Sequence, residues 1–354
     1  MEIPLGCHAD KYKIGTNHMK KLLSIIFAGL ILLIGGNTMA KENLNKNQQN
    51  IVMISAYTAT SELDNLENAI KKGLNEGLTV NEIKEVLVQL YAYCGFPKSL
   101  NGLSALMKVA KAGNYKEGET GKPLPKGCDL HKIGTDNQTK LCGSPVKGEL
   151  FDFAPAIDDY LKDHLFGDIF ARGVLSWQDR EVATIATLNA LDDVEPQLNA
   201  HIQVGKHNGL TDSQVEEILT LSSKAKMKVY GIGTPNTAYA KYFISNSYLK
   251  PLSKEQVGIA NVTFEPKCRN NWHIHHKGGQ ILIVTGGRGY YQEWGKPAQE
   301  LKTGDVVNIA PEVKHWHGAA HDSWFSHLAI EVPADGGSTE WLEPVSDDEY
   351  DKLK

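Results

Sequence analysis

Near residue 255 the hydrophobic period of this 354-residue chain changes from helical to strand-like, so one layer type cannot serve both parts. Upstream, Ile83, Val86, Leu87 and Leu90 recur at i, i+3, i+4 and i+7. They follow Thr79-Val-Asn-Glu82, a tetrad whose two ends cap each other's backbone amides at a helix start. Downstream, Ala260-Asn-Val-Thr-Phe264 alternates, as does part of Gln280-Ile-Leu-Ile-Val-Thr285, and Gly and Pro punctuate short runs. The expectation is a multidomain α and β chain, a helical bundle followed by an all-β barrel.

The helical pattern occurs twice. Gly77-Leu-Thr79 returns 132 residues later as Gly209-Leu-Thr211, with a second cap-like tetrad ending at Gln214. Glu85 matches Glu217, and upstream Ile54-Ser-Ala matches Ile185-Ala-Thr. The match predicts equivalent helical units over residues 51–112 and 180–245. A Gly, Pro, Lys and Thr-rich stretch reads as the connection. The expected boundaries are repeat 1 at 47–112, linker at 113–150, repeat 2 at 151–248 and β-barrel at 256–346.

Residues 1–40 read as an N-terminal extension and a signal peptide. Lys20 and Lys21 precede the 13-residue apolar run Leu22–Ile34, and small residues lead to Ala40. The run is shorter than the roughly 20 residues of a membrane span. The pattern starts at Met19, so the expected product is exported to the periplasm, begins at Lys41 and has no stable membrane anchor. Cys128 and Cys142 then stand in an oxidising compartment with thirteen residues between them, spaced to close a loop. Composition is ordinary: net charge −5 and 22% charged residues leave no basic surplus to call for nucleic acid.

The β region carries the chemistry. His273 and His275 stand at i and i+2, one face of a strand, and Gln280 follows five residues on. His315 arrives forty residues after His275, behind a Gly304–Pro311 turn. Three imidazoles and an amide oxygen inside a barrel suit one divalent transition metal: Mn, Fe, Ni, Cu or Zn. The alternative is a set of metal-free histidines, against which stands the clustering of His273, His275, His276, His315 and His317 at two strand ends. All-neutral ligands leave the ion its full charge, so the centre favours an oxygen anion. His317 reads as a neighbour of the ligands.

These residues resemble the two cupin motifs. The first is matched with Gln280 in place of Glu and Gly287 closing it; in the second, Ala310 and Glu312 stand where Pro and Gly are usual. Val262-Thr-Phe-Glu-Pro266, Trp272-His-Ile-His275, Lys314-His-Trp-His-Gly-Ala-Ala320 and His327-Leu-Ala-Ile330 resemble more narrowly the bacterial cupin hydroxynitrile lyases. That resemblance implies Gln as fourth ligand and His327 as general base, although one extra residue separates His275 from Gln280.

The doubled unit resembles the carboxymuconolactone decarboxylase family, which includes alkylhydroperoxidase-D-like proteins. The likeness rests on Glu82-Ile-Lys-Glu85, Tyr93-Cys-Gly-Phe-Pro97, Arg180-Glu181, Glu195-Pro-Gln-Leu198 and His201-Ile202. It implies an all-α, oligomeric fold with sites between helices. The peroxidase branch needs a Cys-x-x-Cys pair; Cys94 is followed by Gly95, Phe96 and Pro97, so a thiol peroxidase is not expected. Decarboxylase chemistry needs a proton donor and acceptor, for which Glu85, Glu217 and His201 stand available. The alternative gives both glutamates surface ion pairs and the bundle a scaffold role.

The expectation that follows is an exported, homo-oligomeric, metal-dependent lyase that makes or breaks a C–C bond, or releases CO2, on a small organic substrate. A cupin dioxygenase and a non-catalytic binding or scaffold protein are the rivals.

Overall fold

The computed structural model describes residues 43–353, and the Met19–Ala40 signal segment lies outside them. The helices are α1 (Lys46–Thr60), α2 (Leu63–Glu76), α3 (Val80–Cys94), α4 (Phe96–Ala112), α5 (Leu130–Cys142), α6 (Glu149–Phe153) and α7 (Pro155–Tyr160). A π-helical stretch, Leu161–Ile169, leads to α8 (Trp177–Ala190), α9 (Glu195–His207) and α10 (Asp212–Ser223). No helix among the described residues is long and apolar enough to cross a membrane.

The duplication holds for three helices, not four. Asn45 with Gln48, Thr79 with Glu82 and Thr211 with Gln214 form reciprocal capping boxes, and Ser176 caps α8 by accepting from the Asp179 amide. Thus α1–α3 correspond to α8–α10, and Glu85 and Glu217 are each the sixth residue of their helix. The central pair α1 and α8 is buried almost all round, and one core runs through both copies from Ile54 and Leu66 to Ile185 and Ile218. Helix α4 has no counterpart, because after Lys226 the chain turns into strands instead.

The 113–150 stretch is not a free linker. The Lys116 and Glu117 carbonyls accept from the Val80 and Asn81 amides at the start of α3. Its second half forms α5, capped by Asp129, whose side chain accepts from the Lys132 amide. Gly and Pro foretell irregular backbone; they do not foretell that it stays unpacked.

Twelve strands follow: β1 (Thr234–Pro235), β2 (Phe243–Ile244), β3 (Ser247–Ser253), β4 (Ile259–Phe264), β5 (Arg269–Asn270) and β6 (His273–His276), then β7 (Gln280–Glu293), β8 (Gln299–Lys302), β9 (Val306–Ile309), β10 (His315–Ala319), β11 (Phe325–Glu331) and β12 (Ser338–Trp341). The β region therefore begins well before residue 256. Strand β3 carries Pro251 and a single buried residue, so its pairing with β4 and β1, not its pattern, identifies it as a strand. All pairings are antiparallel, and the sheet curls into a cupin-like half-barrel.

Strand β7 makes the curl possible. Its first half pairs with β11 and β9, its second half with β10 and β8. The halves meet at Gly286-Gly287, where β11 also shifts register. Gly287 has φ +75°, and a Cβ there would sit 1.8 Å from the Trp324 carbonyl oxygen. The barrel also meets the bundle directly: the Trp324 amide donates to Ser223 Oγ at 3.0 Å.

Candidate metal centre

Strand alternation supplies the first two imidazoles. Along β6, His273 and His275 are buried while Ile274 and His276 are half-buried on the other face. Strand β10 pairs with β6 so that His315 lies directly opposite His273. The ring centroids of His273 and His315 are 4.1 Å apart, and one nitrogen from each of His273, His275 and His315 falls within 4.8 Å of the others.

Hydrogen bonds set the tautomers. His273 Nδ1 lies 2.9 Å from the Asn271 carbonyl and His315 Nδ1 2.9 Å from the Val313 carbonyl. A carbonyl only accepts, so each Nδ1 carries the proton and each Nε2 keeps its lone pair. His275 Nδ1 faces Glu331 Oε2 at 3.3 Å, which assigns the same tautomer. The Nε2 atoms of His275 and His315 are buried with no protein partner, as a ligand nitrogen must be.

Gln280 opens β7, and Glu331 ends β11 directly across from it. Its Nε2 donates to Glu331 Oε1 at 2.6 Å. Since a carboxylate only accepts, this contact fixes which way the amide points and leaves Oε1 buried without a partner. Three imidazole lone pairs and an amide oxygen are a donor set that fits a borderline divalent ion.

Glu331 escaped the sequence reading. It lies outside the three-histidine group, yet holds both His275 and Gln280. Burial opposes its ionisation, but the hydrogen bonds from His275 and Gln280 outweigh that and hold its carboxyl below the usual range. A negative charge therefore stands one bond behind an otherwise neutral ligand set. Its sequence signal was its position, four residues after His327 and so on the same strand face.

A cavity of about 740 Å³ opens beside these groups. His273, His275, Gln280, His317 and Glu331 give it one polar wall; Leu249, Ile259, Val262 and Ala329 line it with apolar surface. Trp341 of β12, also missed from sequence, stacks on His273 at 4.7 Å and on Tyr242 at 4.6 Å. His327 does not line this cavity. It is fully buried against Phe264, and both its ring nitrogens lack partners. Its ring meets that of His317, which does line the cavity, edge-on at 4.7 Å. Burial pushes His315 down to about 4 and His327 down to about 3, and burial with the neighbouring imidazoles pushes His273 and His317 well below the ordinary range. All four rings are neutral at physiological pH.

Glu312 explains how the second motif departs from the cupin pattern yet keeps its register. Its backbone has φ +66°, the left-handed conformation suited to Gly. Its carboxylate accepts from the Lys277 amide at 2.9 Å and holds His276 at 2.6 Å, contacts that offset the strain.

The helical candidates do not share partners. Glu85 is buried, not on the surface: Arg172 donates to both its oxygens at 2.9–3.2 Å, and Arg180 lies 3.6 Å away. Glu217 accepts from the Leu44 amide and Gln49 Nε2, both at 2.8 Å. His201 Nδ1 meets Glu181 Oε2 at 2.8 Å. Cys94 is half-buried, and burial pushes its thiol up to about 11, so it is not a ready thiolate. Cys94, Cys128, Cys142 and Cys268 are all free thiols, so the Cys128–Cys142 loop is not closed.

Comparison with known proteins matches these two regions separately. Residues 27–108 and 155–223 fit the carboxymuconolactone decarboxylase family, and residues 260–330 fit the cupin domain. A relative from Granulicella tundricola, an (R)-mandelonitrile lyase, is 48% identical over 94 residues, which are 27% of this chain and 71% of the relative. A cupin-like protein of known structure from Thermotoga maritima is 43% identical, with a TM-score of 0.33, over 35% of this chain and 96% of its own. A predicted oxalate decarboxylase from the same organism is 18% identical, with a TM-score of 0.27, over 28% of this chain and 93% of its own.

Proposed function

For a chain that belongs to the carboxymuconolactone decarboxylase family in its helical part and to the cupin family in its β part, we propose a metal-dependent lyase that cleaves or forms a C–C bond next to a hydroxyl group. The observation that carries this reading is the grouping of one nitrogen each from His273, His275 and His315 within 4.8 Å, with His275 Nε2, His315 Nε2 and Gln280 Oε1 buried and unpartnered, beside a cavity that His273, His275 and Gln280 line. His273, His275, Gln280 and His315 would hold the ion, which when bound supplies a Lewis acid that stabilises an oxygen anion.

The chain's own residues do the rest. The apolar wall takes the substrate's hydrocarbon part and excludes water. His317, the imidazole of the pair that lines the cavity, accepts the hydroxyl proton, and His327 packs edge-on behind it. As the proton leaves, the C–C bond breaks, its electron pair departs with the leaving carbon and the hydroxyl carbon becomes a carbonyl. An α-hydroxynitrile, which releases cyanide, is one substrate of this class. The helical part serves as scaffold, since both oxygens of Glu85 are engaged by arginine and Cys94 has no resolving partner. The Met19–Ala40 leader makes the product an exported one, and N-terminal sequencing of secreted protein should begin at Lys41.

The test is release of benzaldehyde from mandelonitrile by protein of measured metal content. His317→Ala should lose roughly 10²–10⁴-fold in rate, and His327→Ala, which removes the packing behind it, should keep its metal and lose less. Fully loaded protein that releases no aldehyde from any of a panel of α-hydroxynitriles sinks the reading.

A further inference from the structure

Among the described residues that line the barrel cavity, three carry a buried polar atom with no partner: His275, Gln280 and Asn236. The first two belong to the candidate metal centre, and Asn236 does not. It directly follows β1 and is 7% exposed. Its backbone amide donates to the Ser247 carbonyl at 2.9 Å, and its Nδ2 donates to Ser247 Oγ at 3.3 Å. Both bonds tie Asn236 to β3 and leave Oδ1 as the unpartnered atom. A buried acceptor in that state costs free energy that a donor on a bound molecule would recover.

An aromatic wall connects Asn236 with the candidate ligands. Ser247, the partner of Asn236, lies across from Phe264 in the β3–β4 pair, and Phe264 meets Phe243 at 5.6 Å. Phe243 and Tyr239 lie 6.0 and 6.5 Å from Trp341, which stacks on His273 at 4.7 Å. Tyr239, Phe243 and Trp341 all line the cavity, whose volume of about 740 Å³ holds a whole drug-sized molecule. Asn236, Tyr239 and Phe243 precede the cupin match, which begins at residue 260. The segment that joins bundle to barrel therefore supplies this part of the cavity.

We propose that Asn236 is a specificity-determining residue, and that it selects a substrate whose aromatic ring carries a hydroxyl group away from the reacting carbon. The inference rests on the lyase reading for the reaction, though not for the binding. The ring packs against Phe243 and Trp341, flat apolar surfaces that suit an aromatic face. Its hydroxyl donates to Asn236 Oδ1, while the hydroxyl on the reacting carbon faces His275 and Gln280. A rigid ring holds those two hydroxyls at a fixed separation, so one molecule meets both unpartnered sites without ordering a flexible chain.

Benzyl alcohols are the probes, because they keep the carbinol hydroxyl and have no group to release, so they report binding without turnover. Titration calorimetry on wild-type protein of measured metal content should find meta- or para-hydroxybenzyl alcohol bound about 5-fold or more tightly than benzyl alcohol, the worth of one hydrogen bond. The matching methoxybenzyl alcohol, which has the reach and no donor, should not share that gain. Asn236→Leu should erase the preference, and the wild-type comparison stands without the variant. Equal affinities for the three probes, a methoxy probe that binds as tightly as its hydroxyl counterpart, no binding of any probe, or a preference that survives Asn236→Leu would each overturn the proposal. A hydroxyl preference in protein that releases no aldehyde would sink the lyase reading alone and uphold Asn236. Mandelonitrile cleavage with equal probe affinities would sink this inference alone.

Discussion

The bundle and the barrel both bury polar side chains, and they treat them in opposite ways. In the bundle, the groups close on one another: Glu85 on Arg172 and Arg180, Arg180 on Gln89, Gln89 on Thr184 and His201 on Glu181. Single atoms of Arg180 and Glu181 stay unpaired, but each of these side chains keeps another partner; outside this cluster the buried hydroxyls of Ser55, Tyr93 and Thr135 have none. In the barrel, every hydrogen bond to a candidate ligand falls on the far atom. Asn271, Val313 and Glu331 take the Nδ1 or Nε2 protons and leave the inward lone pairs of His275, His315 and Gln280 unpartnered. A buried polar group costs free energy unless it is partnered. A cluster that satisfies itself is structural, whereas one whose partners all stand behind it is built to bind.

The sharpest break of this contrast is His315→Ala. It should abolish stoichiometric metal, measured by elemental analysis, while the bundle keeps its helical circular dichroism. Next in size, Glu85→Ala should leave metal content unchanged but strand Arg172 and the buried Arg180 guanidinium. Loss of one member of a buried pair costs about 3–5 kcal/mol, readable in denaturant unfolding of the helical signal. If Glu85→Ala retains full stability, the self-satisfied cluster is not structural.

Glu331→Ala tests the carboxylate behind the ligands. With the partner of His275 and Gln280 removed, metal should still bind, with affinity about 10–100-fold weaker. An unchanged dissociation constant would mean that the Glu331 contacts orient nothing. A further effect is in pH. His327 is held neutral, its pKa pushed down to about 3 by burial, whereas an unfolded histidine protonates near pH 6.5. The unfolded chain therefore binds this proton first, and stability present above about pH 6.5 declines as pH falls toward the folded value. Metal-free protein should lose stability on acidification from neutral pH, and His327→Phe should lose less.

The sequence alone determined the period change, the existence of two helical copies and the inward face of His273 and His275. Each of these is local: a cap, a 3.6-residue stripe or a two-residue alternation is set by backbone geometry within a few residues. Tertiary structure alone decided what crosses between elements. Helix α5 and strands β1–β3 carry weak local patterns and exist through pairing. Glu85 became a buried ion pair because Arg172, 87 residues away, ends the 3-10 turn Phe170–Arg172 that packs back against α3. Glu331 became a support for two ligands because β11 ends opposite the start of β7, and cross-strand neighbours follow sheet register, which no local pattern in one strand encodes.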